Sequence, residues 1–237
     1  MVKKILCLII INTILIGGIN DVFALEDFHI KDFLESREKS WPQWVKVHSR
    51  YSDLKKDLIY PSWFEGNWLV KSESLNNSQE EPIYYKVNFH RDQFNHLIGS
   101  RSENAQSIGK ALFGDRLIKV VSDPNSFNRQ IVYLKNDQYI DSRIVDRTQA
   151  FDQDFFFSDE LAIQTVHKEG ISRINQVEVM SKFYKCNEYS NLSSDSKEKI
   201  CGIQYLATYG SKVGEINLRP VTTNKYYLSF EFIDDSH

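Results

Sequence analysis

The chain has 237 residues, 41% of them apolar and 26% charged, with a formal charge of −3. That is enough for one large β domain or two small ones, and it excludes wholesale disorder. The mild acidity, with no basic face standing out, excludes an electrostatic drive toward nucleic acid.

Residues 1–24 follow the order of a secretory signal. Lys3 and Lys4 supply the charged start and Ile5 to Ile16 an apolar run of about 12 residues, and Val22-Phe23-Ala24 places small residues at the positions that a signal peptidase reads. At 1.5 Å per residue the run reaches about 18 Å, short of the roughly 30 Å hydrocarbon core, so a signal is preferred to a membrane anchor. Cleavage is expected after Ala24, and Cys7 has no surroundings that suit lipid attachment. No later stretch approaches the ~18 apolar residues of a membrane span, so none is expected after processing.

Residues 25–59 carry a helical pattern. Phe28, Phe33 and Leu34 give a first helix over Glu26–Lys39, which Ser40-Trp41-Pro42 breaks. Val47, Tyr51, Leu54 and Leu58 give a second short helix over Val45–Leu58. Tyr60-Pro61 stops it, because proline disfavours the helical conformation in the residue before it.

From there to residue 237 the pattern is strands and turns, read as a single domain over 60–237. Strands are predicted at Trp63–Ser74, Ile83–His90, Leu117–Val121, Arg129–Lys135 and Gln138–Ala150. More follow at Leu161–His167, Ile171–Cys186, Cys201–Tyr209 and Lys225–Ile233. Alternation puts Ile83, Tyr85, Val87 and Phe89 on one face, and likewise Tyr226, Leu228, Phe230 and Phe232. Asn104–Phe113 reads as one or two helical turns, and Asp152–Asp159 as an aromatic-acidic loop around Phe155-Phe156-Phe157. Eight or nine strands with short turns predict a sequentially connected antiparallel sheet, which removes exposed edges if it closes into a barrel.

Cys186 and Cys201 survive processing and flank a polar, turn-rich segment. A disulfide between them would staple the hairpin of the Val177–Cys186 and Cys201–Tyr209 strands; the alternative is two unpaired thiols.

Gly66-Asn67-Trp68, at the start of the first strand, resembles the first signature of the lipocalins and wider calycin barrels. The resemblance implies an antiparallel barrel in which Trp68 plugs the closed end, with Gly66 and Trp63 as structural neighbours. The family's arginine over that tryptophan has no counterpart, since the last strand offers only Lys225 with Arg219 ahead of it. The second lipocalin signature is absent, so the likeness is one of architecture. A closer resemblance rests on Tyr60-Pro61-Ser62-Trp63-Phe64-Glu65-Gly66-Asn67-Trp68, Asp123-Pro124 with Asn128-Arg129-Gln130, and Arg143-Ile144-Val145-Asp146-Arg147. These look like an uncharacterised family of cyanobacterial and plastid proteins, catalogued as a domain of unknown function. That likeness implies the thylakoid lumen or the periplasm, and supplies no catalytic residues.

The strand Gln138–Ala150 is the most unusual in chemistry. Strict alternation puts Tyr139, Asp141, Arg143, Val145 and Arg147 on one side. Arg143 and Arg147 there either bind an anionic head group such as a carboxylate or form a solvent-facing row of charges. Tyr139 and Tyr205 are further candidate lining residues for a bound ligand. The six histidines form no pair at metal-ligand spacing, so neither a metal nor another cofactor is expected. No nucleophile elbow, phosphate loop or dinucleotide fingerprint is present, so an enzyme is not expected. Three functions remain in view. The first is a barrel that binds a small apolar or amphipathic ligand such as a lipid, pigment or quinone; the second is a filled barrel that docks on a membrane complex; the third is an enzyme of unidentified type, for which no motif argues.

Overall fold

The computed structural model describes residues 29–42, 52–186, 200–212, 215–216 and 219–234. Residues 1–24 and the front of the second expected helix therefore lie outside the described residues. The first helix, α1, is described over residues 29–40. Residues 52–58 are not helical; they run as a turn and an extended strap. The strap is tied down by tertiary bonds: Asp53 N donates to Arg147 O at 2.9 Å, and Ile59 N to Gln149 Oε1 at 3.1 Å.

Among the described residues eleven strands follow. They are β1 (Gly66–Ser74), β2 (Ile83–Arg91), β3 (Leu97–Gly99), β4 (Leu117–Asp123), β5 (Ser126–Leu134), β6 (Gln138–Phe151), β7 (Phe155–Lys168), β8 (Ile171–Lys185), β9 (Ile200–Lys212), β10 (Glu215–Ile216) and β11 (Thr222–Ile233). A second helix, α2 (Arg101–Phe113), joins β3 to β4. The sheet runs β3-β2-β1-β11-β9-β8-β7-β6-β5-β4, and its pairings are antiparallel. The expected mainly β, barrel-like architecture is borne out, as a curled half-barrel consistent with a calycin-like fold. It has more strands than the eight or nine expected, because β3 and β10 are too short to show a period.

Strand β1 pairs with β11, so the two ends of the meander meet inside the sheet. The seam lies between β3 and β4, and α2 fills it. Its side chains serve the strand edges there. Asn104 Oδ1 accepts from Asn88 N at 2.8 Å while its Nδ2 donates to Asn88 O at 2.9 Å. Ser107 Oγ accepts from Lys86 N at 2.9 Å, and on the other side Gln106 Oε1 accepts from Val120 N at 2.7 Å. Unpaired strand edges invite association with other chains; here helix side chains substitute for the missing strand neighbour.

The two faces of the sheet have separate cores. On the inner face Phe64, Trp68, Val70, Phe89, Phe156, Phe183, Leu228 and Phe230 pack together. On the outer face α1 lies over Ala150, Phe157, Met180 and Tyr205, burying Leu34 and Arg37. Phe156 and Phe157 are thus neighbours in sequence that serve opposite cores. The segment expected as a loop over Asp152–Asp159 is instead a tight turn followed by β7: Asp152 Oδ1 accepts from Asp154 N at 2.7 Å and Phe155 N at 3.0 Å. A run of three aromatics hides strand alternation when both faces are buried.

Two glycines are required by close approach. Gly66 has φ +114°, and a Cβ there would come within 2.6 Å of the Phe232 ring. A Cβ at Gly202 would lie 2.2 Å from Phe183, its cross-strand partner, so glycine is what lets that ring enter the core.

Cys186 and Cys201 are disulfide-bonded, with Cα atoms 5.2 Å apart. Tyr184 pairs with Cys201, so the bond staples the mouth of the β8–β9 hairpin as expected. Reduction is expected to lower stability by about 3 kcal/mol, the loop-closure value for a loop of this size. Urea unfolding with and without reductant checks this; an unchanged midpoint would count against it.

Candidate functional site

The inner face of the half-barrel lines a partly open cavity of about 340 Å³. Its wall is mostly apolar, formed by Tyr85, Val87 and Phe89 of β2, Phe183 of β8, and Leu228 and Phe230 of β11, with Gln130, Ser142 and Gln204 as polar lining. These residues reach it through simple alternation along their strands. Burial pushes the Tyr85 phenol up to about 12, so it stays a neutral hydroxyl. Tyr60, from the end of the strap, also lines the cavity. It stacks on Phe156 at 4.7 Å and meets Phe89 edge-on at 4.6 Å. Burial, and then the Glu160 and Asp57 carboxylates, raise its pKa above the ordinary phenol value.

One end of the cavity is charged, and four side chains from four elements meet there. Arg147 of β6 donates from Nε to Glu160 Oε1 of β7 at 2.7 Å and from Nη1 to Lys56 O of the strap at 2.6 Å. Arg101, the first residue of α2, donates from Nε to Asp57 Oδ2 at 2.6 Å, and its Nη2 donates to the same oxygen. Asp57 Oδ1 lies 4.0 Å from Arg147 Nη1. The Asp57 carboxylate thus lies between the two guanidiniums. Both also approach the face of Phe127, at 5.0 Å for Arg101 and 5.9 Å for Arg147. Burial depresses the Arg101 pKa, with Arg147 adding to it and Asp57 opposing. The guanidinium remains charged, as arginine does in proteins.

A β-bulge places Arg147 there. The β6–β7 register runs Ile144 with Ala162 and then Asp146 with Leu161, so Val145 is extra. Beyond it the faces of β6 exchange.

A family described as a domain of unknown function matches residues 73–233, well over half of the chain. The chain belongs to the DUF6816 family. The DUF6816 match takes in Arg101, Arg147 and Glu160, and begins after Asp57, Tyr60 and Trp68. No curated protein and no solved structure matches the chain.

Of the four residues of the DUF6816 chain expected to line a ligand site, Arg147 alone lines the cavity, where it is 5% exposed. Arg143 does not join it. It lies before the bulge, exposed on the outer face, so the strict alternation expected of this strand is corrected. Tyr139 is also on the outer face, stacked on His167 at 4.1 Å. Tyr205 lies under α1, its hydroxyl donating to Glu38 Oε1 at 2.7 Å and its ring meeting Trp41 at 5.2 Å. Burial, then Glu38, raise its pKa. Of the structural trio, Trp68 is buried and Gly66 abuts Phe232, while Trp63 stacks on Phe64 at 4.5 Å.

Sequence reasoning missed Arg101, Asp57 and Glu160 as site residues. In the sequence Asp57 falls within the expected second helix, Glu160 between the expected aromatic-acidic loop and the strand that follows it, and Arg101 ahead of the helical turns expected from Asn104. The available signal was a charge at the border of an apolar run, Asp57 before Leu58-Ile59-Tyr60 and Glu160 before Leu161-Ala162; Arg101 carries no such signal. Among the described residues no group of three His, Cys, Asp or Glu side chains is placed to hold a metal ion. No described helix is long and apolar enough to cross a membrane.

Proposed function

We propose that this protein is a non-enzymatic binding module whose half-barrel holds one small amphipathic molecule, such as a lipid, a quinone or a pigment. The observation that carries this is the cavity of about 340 Å³, mostly apolar along its wall and charged at one end. That volume is at the small end of the ~300–1,000 Å³ range of ligand sites, which favours a single chain or ring system over a bulky ligand. The charged groups of the site pair with one another, an arrangement suited to orienting a ligand and not to general acid–base work. We also place the protein outside the cytoplasm, in a thylakoid lumen or a periplasm of cyanobacterial or plastid origin. In support stand the signal-like run Ile5–Ile16, the Cys186–Cys201 bond and the motif resemblance.

Two measurements test the binding reading. Organic extraction of protein purified from its native source, followed by mass spectrometry, is expected to yield one amphipath in stoichiometric amount. Titration of the delipidated protein with N-phenyl-1-naphthylamine, a neutral apolar fluorophore, is expected to give saturable enhancement. No extracted molecule and no saturable enhancement would overturn the reading, and co-purification of a membrane complex in its place would support a docking role.

A further inference from the structure

We infer that the charged end of the cavity is a site for a monoanionic carboxylate head group, and that Asp57 is a resident carboxylate which such a ligand displaces. The inference rests on the ligand-binding reading above and adds to it the chemistry of the head group and the means of its exchange.

Charge balance comes first. Arg101 and Arg147 bring two positive charges, and Asp57 and Glu160 two negative ones, all lining one end of one cavity. The set is neutral as it stands. Glu160 is held in β7, hydrogen-bonded between β6 and β8, and its partner Arg147 is buried. That pair cannot separate without leaving a buried charge alone. Asp57 differs in its backbone, not in its exposure. It comes from a strap with no regular structure, while its side chain, 22% exposed, is about as open as that of Glu160 at 20%. Its contacts are with Arg101, with Arg147 at 4.0 Å and with its neighbour Leu58 N at 2.8 Å. A rotamer change carries the carboxylate into water while the backbone bonds of the strap persist.

Once Asp57 has swung out, the remaining three groups carry a single positive charge. A monoanion restores neutrality; a dianionic phosphate overshoots it, and a cation is repelled. Guanidinium forks match the planar carboxylate. Arg101 already binds one such group, the chain's own, so the geometry of recognition is present in the folded protein. The apolar wall then takes the tail of the ligand.

The test compares dodecanoate, dodecanol and dodecyl phosphate as displacers of N-phenyl-1-naphthylamine, well above the carboxylate pKa. On the unmutated protein dodecanoate is expected to bind about tenfold tighter than dodecanol, the effect of one charge-assisted contact. Dodecyl phosphate is expected to bind more weakly than dodecanoate. Asp57→Asn removes the competitor, and should tighten dodecanoate by about a further tenfold while leaving dodecanol unchanged. Arg101→Gln should abolish the preference for dodecanoate. Equal binding of dodecanol and dodecanoate by the unmutated protein would overturn the inference and leave the ligand-binding reading standing. Failure of all three to displace the fluorophore would overturn both. The comparison on the unmutated protein decides the head-group chemistry even if a variant fails to fold.

Discussion

Replacing Trp68 by alanine is expected to cost about 3–5 kcal/mol, the usual range for removing a buried aromatic. The indole is 3% exposed and closes one part of the inner core. Phe232 packs edge-on against it at 5.2 Å and Phe230 at 6.4 Å. Its Nε1 donates to Phe64 O at 2.8 Å, so truncation also removes the partner of a buried carbonyl. The neighbouring Tyr60–Phe64 stretch would lose its anchor, since Phe64 is itself fully buried among Tyr60, Phe89, Phe156 and Phe183. Urea unfolding followed by circular dichroism measures the cost. Trp68 is not among the cavity-lining residues, so the folded variant should keep its affinity for the fluorophore. A cost under about 1 kcal/mol would show that burial of the indole contributes little to the inner core.

The second large effect lies on the opposite face. Arg37 of α1 is 2% exposed and donates from Nη2 to Glu178 Oε1, with Asp159 Oδ2 3.9 Å from its Nε. Tyr209 Oη lies 2.7 Å from Glu178 Oε2. Arg37→Ala removes the positive charge and leaves buried carboxylates behind, for which about 3–5 kcal/mol is expected. The loss should also depend on pH. Burial, and then the Glu178 charge, hold the Asp159 pKa well above the ordinary carboxylate range, with Arg37 opposing. A carboxyl whose folded pKa is raised stabilises fully below its unfolded pKa, near about 4, and loses that contribution as pH rises through the folded value. Without Arg37 the folded value moves higher still. Arg37→Ala should therefore cost more at about pH 8 than at about pH 5, and Asp159→Asn should flatten the alkaline side of the stability profile. Equal cost for Arg37→Ala at the two pH values would refute this account of the cluster.

These two sites differ in how well the sequence announced them. Trp68 was legible, because Gly66-Asn67-Trp68 sits where a strand begins and the faces of β1 and β11 alternate cleanly. The Arg37 cluster was not. A charged residue within a helical stripe looks solvated until the outer face of a sheet is laid over it, and Asp159 and Glu178 come from strands far along the chain.

The candidate site divides in the same way. Its apolar wall follows from period-two patterns in Ile83–Phe89 and Tyr226–Phe232, which are local and survive any tertiary arrangement. Its charged end depends on one inserted residue. Had β6 kept strict alternation, Arg143 and Arg147 would share a face; Val145 breaks the count and sends only Arg147 inward. Nothing in the composition of Gln138–Phe151 marks that bulge, because it is set by the register that β7 imposes.

By itself, then, the sequence determined the mainly β architecture, the first helix, the cysteine pair and the apolar faces. Each is written in short-range periodicity or in residue chemistry. The tertiary structure alone decided that α2 fills the seam between β3 and β4, that α1 buries an arginine, and that Arg101, Asp57, Arg147 and Glu160 meet at one end of a cavity. Those features depend on contacts between residues tens of positions apart, whose pairing no local period encodes.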